Sequence, residues 1–288
     1  MINTVCVPSG IGDVSWAYSK LVNVGPLHYE VADGWPYRTV PFMELLPGVA
    51  SAVYGQFNYQ DIVVFEQAAK IGHHPTWAEL NNGRGLERIL LEPNRHLEEG
   101  KRLEDWLPDV PTSFHYEINA RPVDVQRAAD LLALYERPWT GISAASYRGS
   151  EAWKTWGYAE WSRFLKMLQA EVGGTIILMG GFWDDLTATL EADGYPCTVG
   201  KTNVGAAIEI LRKLDFYVGF SSGLGVIRTV LDKNAFMLWP DHQVELSTSW
   251  APPEMLEDQR YAVSLWREPE LVWKRVRLWL NRCSRTLS

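Results

Sequence analysis

The chain has 288 residues, a formal net charge of −8 and a sequence pI of about 5.3. Hydrophobic residues make up 47% and charged residues 22% of the chain, which excludes disorder as the main state and suffices for one large domain or two smaller ones. The acidic balance argues against a surface devoted to nucleic acid or anionic membrane, because such surfaces are rich in Lys and Arg.

Cysteine usage and hydropathy indicate a cytoplasmic protein. Cys6, Cys197 and Cys283 show no paired spacing of the kind that binds metal, and three is an odd number for a disulfide framework. The first residues lack a basic segment followed by an apolar stretch, and no run approaches about 18 apolar residues. We therefore expect no signal peptide and no integral membrane segment.

The first half of the sequence alternates short apolar runs with helical patterns, which is typical of βαβ units in an α/β protein. Strands are predicted at residues 4–7, 28–32 and 61–65, and helices at 14–22 and 39–46. Residues 76–110 are irregular and charged, with a short helix at 97–107, and are interpreted as an elaborated connection.

A new regular unit begins after Pro138, because proline cannot continue the preceding helix. Its predicted strands and helices alternate again; they are strands 139–145, 175–179, 214–220 and 236–239, and helices 158–171, 183–192, 204–214 and 269–283. The sequence thus predicts two Rossmann-like domains, residues 1–137 and 138–288, with a helix closing the chain. Because ligands bind at the carboxyl ends of parallel strands, we expect the two domains to face each other across a cleft.

Two strand-loop-helix turns have the composition of anion sites. The segment FSSGLG (residues 220–225) brings two hydroxyls and glycines to a helix start, where free N–H groups and the helix dipole favour phosphate. The segment PSGIGD (residues 8–13) follows the first strand in the same way. It is not a dinucleotide motif, because the third glycine of that motif would fall at Ser15.

Asp13 stands where the first loop enters its helix, and two roles are open to it. A carboxylate there can cap the helix and interact with its dipole. It can also act as a general base that takes a proton from an attacking hydroxyl. The spacing alone does not choose between these roles.

Other polar groups follow the predicted strands of the second half. Lys154 and Arg148 are candidates to neutralise a diphosphate, and Gly180-Gly181 leaves room for a ligand against the backbone. No Asp-x-Asp pair occurs, and the lone pair His73-His74 has no partner ligands at metal spacing. We expect no metal site.

Four segments in order resemble the ADP-heptose:lipopolysaccharide heptosyltransferase family of GT-B glycosyltransferases. They are SGIGDV (9–14), FMELLPGV (42–49), KTW (154–156), and ILMGG (177–181) together with GFSSG (219–223). The chain departs from the family pattern in three places. Ser221 and Val226 stand where the family usually has Asp and His, and Gly157 stands where proline usually follows the tryptophan.

The resemblance implies an inverting, metal-independent glycosyltransferase that uses a nucleotide diphosphate sugar as substrate and no cofactor. Asp13 would be the base for the acceptor hydroxyl. The residues implied in donor binding are Gly12, Ser146, Lys154, Gly181, Ser221, Ser222 and Gly223. The acceptor-binding residues are not implied, although a glycan or lipid-linked acceptor is favoured by analogy.

Two alternatives stand beside this interpretation. One is a glycosyltransferase acting on a modified DNA base, which requires an electropositive cleft; its candidate residues are Arg84, Arg88, Arg95, Lys101 and Arg102. The other is a catalytically silent nucleotide- or glycan-binding protein, motivated by the departures at Ser221 and Val226. A nucleotide-sugar epimerase is disfavoured, because the matching turn has no histidine.

Overall fold

The computed structural model describes residues 1–33, 37–55, 76–82, 88–145, 156–181, 184–265 and 267–286. The chain divides into two compact units, Met1–Asn119 and Ala120–Ser288. The units divide earlier in the chain than the predicted boundary at Arg137-Pro138. The boundary between folding domains stays a prediction, since a compact unit is defined by contacts and a domain by independent folding.

The first unit is built on a parallel sheet. Among the described residues its strands are β1 (Thr4–Val7), β2 (Leu27–Ala32), β3 (Val49–Gly55) and β4 (Arg88–Leu90), in the order β3-β2-β1-β4. The helices are α1 (Ile11–Leu21), α2 (Thr39–Met43), α3 (Trp77–Asn82) and α4 (Asn94–Glu98), followed by a 3-10 turn at Leu103–Asp105. Central β1 is buried along most of its length, as expected for a strand covered on both faces.

The predicted elements of the first unit are only partly correct. The first two strands and first two helices are confirmed, although α1 begins three residues early and α2 is short. The predicted helix 97–107 is wrong, because that stretch holds the end of α4 and the 3-10 turn. The connection 76–110 was also misread, since it contributes β4, which pairs with β1. The strand predicted at 61–65 lies outside the described residues.

Buried Lys20 of α1 forms hydrogen bonds with the last part of the connection at residues 76–110. Its ammonium group donates hydrogen bonds to the carbonyl oxygens of Glu104 (2.7 Å), Val110 (2.9 Å) and Leu107 (3.4 Å). Within the part of the chain that the structure describes, these three carbonyl oxygens accept no hydrogen bond from the backbone of a strand or an α-helix, and the lysine supplies a donor to each of them. The irregular segment is compact because one cation bonds three of its carbonyls.

The second unit holds a larger parallel sheet. Its described strands are β5 (Trp139–Ser143), β6 (Thr175–Leu178), β7 (Phe216–Phe220), β8 (Ala235–Trp239) and β9 (Tyr261–Leu265), in the order β6-β5-β7-β8-β9. The longer helices are α5 (Pro122–Leu132), α6 (Tyr158–Val172), α7 (Asp185–Ala192), α8 (Val204–Lys213) and α9 (Gly223–Val230). Two short helices, α10 (Leu246–Ser249) and α11 (Pro253–Glu257), precede the closing helix α12 (Pro269–Thr286).

The order and type of the predicted elements in this unit are confirmed, and four elements were missed, namely α5, α10, α11 and β9. Helix α5 precedes the predicted boundary but belongs to the second unit, where Asp124 accepts a hydrogen bond from Asn203 (2.7 Å) at the start of α8. Strand β9 was not predicted because its edge position leaves several side chains partly exposed. No helix within the described ranges is long and apolar enough to cross a membrane.

An aromatic cluster lies on one face of the second sheet. Trp156, Trp161, Phe164 and Phe220 are all buried, with ring centroids 5.1 to 5.8 Å apart. The Trp161 indole donates to the carbonyl of Ala144 (3.1 Å), just beyond the end of β5. These contacts hold the carboxyl ends of β5 and β7 against α6.

Candidate functional site

The first candidate region is the carboxyl end of β1, where the chain turns into α1. Gly10 is the N-cap, in an extended conformation and without a side-chain cap. A Cβ added to Gly10 would lie 2.1 Å from Oδ2 of Asp13, so the carboxylate folds back over the glycine Cα. Only glycine permits this close approach. The Thr39 hydroxyl donates to the carbonyl of Ser9 and holds the loop from α2.

Asp13 is influenced by two residues of α4 and by Arg38, which precedes α2, and their effects on its pKa differ in sign. Burial raises the pKa and is the largest influence, and the charge of Glu98 raises it further. The hydrogen bond with the Asn94 side chain and the charge of Arg38 act in the opposite direction. The net result is a pKa above the ordinary value of a carboxyl group, so Asp13 is a stronger base than a solvated aspartate.

Asp13 also has the features of a helix-capping residue. It is the acidic residue in the first turn of α1, and its carboxylate accepts a hydrogen bond from its own backbone N–H. Stabilisation of the helix start and action as a base are therefore compatible, and both roles remain open. Gly12 lies beside it in the first turn, partly buried.

The second candidate region is the carboxyl end of β7, where Ser221, Ser222 and Gly223 lead into α9. Ser222 is the N-cap in an extended conformation, yet its hydroxyl makes no capping hydrogen bond. The first N–H groups of α9 have no intrahelical acceptor, as at any helix start. The turn thus retains both backbone and hydroxyl donors at its carboxyl edge.

A buried tyrosine lies beneath this turn. The Tyr217 hydroxyl is 3.4 Å from Oγ of Ser222 and also bonds the Ser143 side chain at the end of β5. Burial raises the pKa of Tyr217 to about 12, so it stays a neutral hydroxyl at physiological pH. Gly219 leaves room for it, since an added Cβ would lie 2.8 Å from that hydroxyl.

The end of β6 completes this edge of the second sheet. Gly180 and Gly181 follow β6, and Asp184 caps α7 by accepting from the Thr187 backbone N–H (3.0 Å). Burial raises the pKa of Asp184, opposed by the hydrogen bonds from Thr187. Strand β5 pairs in parallel with both β6 and β7, so the carboxyl ends of these strands lie at the same edge of the sheet. Gly181 and the Ser221–Ser222 turn follow β6 and β7 and therefore both lie at that edge.

The structure therefore gives each described candidate a position but does not test its role. Asp13 and Gly12 follow β1 in the first unit, and Gly181 and the Ser221-Ser222-Gly223 turn follow strands of the second unit. Ser146 and Lys154 lie outside the described residues, and their roles stay predictions.

The sequence reasoning missed the neighbours of these candidates. Asn94 could have been noticed because an apolar run at residues 89–91 ends immediately before Glu92-Pro93-Asn94, the pattern of a strand end. Arg38 and Tyr217 carry no such local signal. Among the described residues, no three His, Cys, Asp or Glu side chains form a group that could hold a metal ion. The His73-His74 pair lies outside them.

No protein-family model and no curated protein sequence matches the chain. Solved structures do match it along its whole length. ADP-heptose LPS heptosyltransferase II of E. coli is 13% identical, with a TM-score of 0.68 and coverage of 100% of both chains. The glycosyl transferase family 9 protein of Veillonella parvula is 11% identical, with a TM-score of 0.62, over 95% of this chain and 88% of that one.

The chain has the GT-B fold. A third GT-B structure, the iron-containing heptosyltransferase TibC of enterotoxigenic E. coli in complex with ADP-D-beta-D-heptose, is 14% identical. Its TM-score is 0.53, over 99% of this chain and 77% of that one. The predicted α/β class and GT-B fold are confirmed, and so is the resemblance to heptosyltransferases at the level of the fold.

Proposed function

We propose that the chain is a glycosyltransferase that moves a sugar from a nucleotide diphosphate sugar to an acceptor hydroxyl. The observation that carries the proposal is the Asp13 carboxylate at the carboxyl end of β1 in a GT-B fold, with its pKa raised by burial. Structures of the same fold are described as heptosyltransferases, and one is in complex with an ADP-heptose.

In the proposed reaction, Asp13 takes the proton of the acceptor hydroxyl while that oxygen attacks the anomeric carbon. The bond between this carbon and the diphosphate oxygen breaks on the opposite side, so the configuration inverts. The electron pair of the broken bond leaves with the nucleoside diphosphate. Asn94 assists by orienting the carboxylate through their side-chain hydrogen bond.

The Ser221-Ser222-Gly223 turn would hold the diphosphate. The hydroxyls and the first N–H groups of α9 donate to its oxygens, and the helix dipole stabilises the charge that develops on the leaving group. Lys154 is proposed to add a full positive charge. Val226, which stands where the family usually has histidine, is buried in α9 and does not replace that side chain at the ligand.

Metal independence is part of the proposal and needs its own test. It rests on the lack of an Asp-x-Asp pair in the sequence and on the donors just described. TibC is described as iron-containing, so the fold alone does not decide the question. Activity that survives EDTA would support metal independence, and activity restored only by added metal would contradict it.

A glycan or lipid-linked acceptor is proposed by analogy, and the charges do not favour DNA. Arg88 pairs with Glu30, Lys101 with Glu99 (2.6 Å) and Arg102 with Glu104 (3.1 Å). Three of the basic residues considered for a DNA cleft are thus paired with a carboxylate. Arg84 and the side chain of Arg95 are outside the described part of the chain.

The donor is tested by thermal unfolding against a panel of nucleotides and nucleotide sugars, with Mg²⁺ and with EDTA. A ligand at about 100 times its dissociation constant adds roughly 2.7 kcal/mol of stability. We expect one nucleotide diphosphate and its sugars to raise the midpoint equally in both buffers. If no member of the panel raises the midpoint, the donor-binding part of the proposal is wrong.

A further inference from the structure

The second unit has a cavity of about 740 Å³ at the edge of its sheet opposite to the Ser221-Ser222-Gly223 turn. The cavity is lined by residues at or just before the starts of four strands; they are Trp139 (β5), Asp215 (β7), Asn234 (β8) and Arg260 (β9). All of its lining residues belong to the second unit. The sequence motifs and the proposed reaction use none of them.

Basic side chains dominate the lining. The cavity has six basic and two acidic side chains, the basic ones being Arg137, Arg212, Lys213, Arg228, Lys233 and Arg260. The acidic ones are Asp215 and Asp232. The whole chain has a net charge of −8, so the positive charge of this lining is opposite in sign to that of the chain.

Arg228 gives the cavity a fixed, buried positive charge. The residue is 1% exposed, and its guanidinium donates to the carbonyl oxygens of Leu214 (3.0 Å), Asn234 (3.0 Å) and Leu211. These partners are backbone dipoles, which hold the guanidinium without cancelling its charge. Burial lowers the pKa of Arg228 to about 9, with the charge of Asp215 opposing, so it remains mostly protonated at neutral pH.

The remaining cations differ in how far they are neutralised. Arg137 pairs with Asp215 (2.6 Å), Arg212 with Glu209 (2.9 Å), and Arg260 with Asp232 and with Asp258 (2.6 Å). Lys213 and Lys233 are exposed at the cavity, and within the described ranges neither forms an ion pair. Two exposed ammonium groups thus remain available in a cavity that is also lined by a buried guanidinium.

Part of the cavity lining is apolar. It includes Leu132, Ala133 and Leu214, together with Trp139, over whose ring the Arg137 guanidinium lies at 4.6 Å from the centroid. The volume lies within the range of small-molecule pockets, and the apolar residues provide surface for the part of a ligand that carries no charge.

We infer that this cavity binds a phosphate-bearing ligand, with Lys213 and Lys233 as its exposed cationic contacts and Arg228 as the buried charge. Ammonium and guanidinium groups form strong, charge-assisted hydrogen bonds with phosphate oxygens. The phosphate could belong to a soluble phosphorylated metabolite or to a lipid headgroup, which the experiment separates. The inference does not depend on the proposed transferase activity.

The test is a titration of the isotope-labelled full chain with inorganic pyrophosphate, followed by amide NMR. We expect saturable shifts at Lys213, Asp215 and Lys233, distinct from any shifts at Gly223 in the donor turn. The double variant Lys213→Ala/Lys233→Ala should weaken binding at the cavity roughly tenfold or more, because two charged hydrogen bonds are lost. The matched control is Lys166→Ala/Lys274→Ala, which removes two exposed lysines of α6 and α12 and should change nothing.

A second arm uses sedimentation with phosphatidylglycerol vesicles and with phosphatidylcholine vesicles. Binding of pyrophosphate that the double variant weakens supports the inference with a soluble ligand. Binding only to phosphatidylglycerol vesicles, lost in the double variant, supports it with a lipid headgroup. The inference is overturned if the chain binds neither pyrophosphate nor phosphatidylglycerol vesicles, or if the double variant binds them as well as the wild type does.

Discussion

At the scale of single residues, burial shifts the pKa of two charged groups, and specific partners oppose or add to that shift. Asp13 is held near Asn94, Arg38 and Glu98, and burial outweighs the groups that favour its ionised form. Lys20 is 1% exposed and bonded only to carbonyl oxygens, and burial lowers its pKa to about 8, with Glu104 opposing. Each residue gives a prediction with its own pH dependence.

The raised pKa of Asp13 predicts an acid limb in the pH profile of kcat/KM. A base must be deprotonated to act, so the rate falls as pH drops through the raised pKa. Replacing Asn94 by alanine removes a group that lowers this pKa and should move the limb to higher pH. A limb that stays in place in Asn94→Ala would show that another group titrates.

Lys20→Met should destabilise the first unit by about 1 to 3 kcal/mol, because it removes a buried donor that serves three carbonyl oxygens. The folded pKa lies below the ordinary 10.5, so the unfolded chain binds more protons between about pH 8 and 10.5. The contribution of Lys20 to stability therefore rises with pH across this window.

Urea unfolding at pH 7 and pH 10 measures this effect as a difference between wild type and Lys20→Met. The difference in unfolding free energy should be larger at pH 10, while exposed Lys166→Met should match wild type at both values. A difference that is equal at the two pH values would mean that the lysine pKa is not lowered.

At the scale of elements, the sequence predicted the buried strands and the helix starts that follow them. Strands β1 and β5 to β8 were found because apolar runs mark strands buried on both faces. Strands β3, β4 and β9 were missed; all three are sheet edges, where burial is incomplete or the strand is short. The motif located Asp13, but Asn94 reaches it through tertiary contact, which local pattern does not encode.

Two helix N-caps give a matched pair of predictions. Asn203 accepts from the Ala206 N–H (2.9 Å) and donates to Asp124 (2.7 Å), so Asn203→Ala should cost about 1 to 3 kcal/mol of stability and leave nucleotide affinity unchanged. Ser222 makes no capping bond, so Ser222→Ala should leave stability nearly unchanged and weaken nucleotide diphosphate binding by about 0.5 to 1.5 kcal/mol.

Thermal unfolding and calorimetric titration of both variants separate the two effects. If Ser222→Ala instead lowers the midpoint as much as Asn203→Ala and leaves the affinity intact, its hydroxyl is structural and does not bind the donor.

At the scale of the whole molecule, the chain combines a GT-B fold with an acidic overall charge and candidate groups at the carboxyl ends of both sheets. Fold likeness at 13% identity does not identify substrates, so activity must be argued from the residues. The basic cavity at the opposite edge of the second sheet is a separate feature of the same molecule.

The measurement that tests the central claim most directly is release of nucleoside diphosphate from the stabilising nucleotide sugar, with a panel of glycan and lipid-linked acceptors in EDTA. Wild type and Asp13→Asn are compared with Asp105→Asn, which removes an exposed carboxylate near Lys20, at the other end of α1. We predict acceptor-dependent release that Asp13→Asn lowers by about 10² to 10⁴ with unchanged donor affinity, while Asp105→Asn matches wild type. Donor binding with no release by wild type would contradict the account and identify a silent binding protein, and full activity in Asp13→Asn would leave that residue only its capping role.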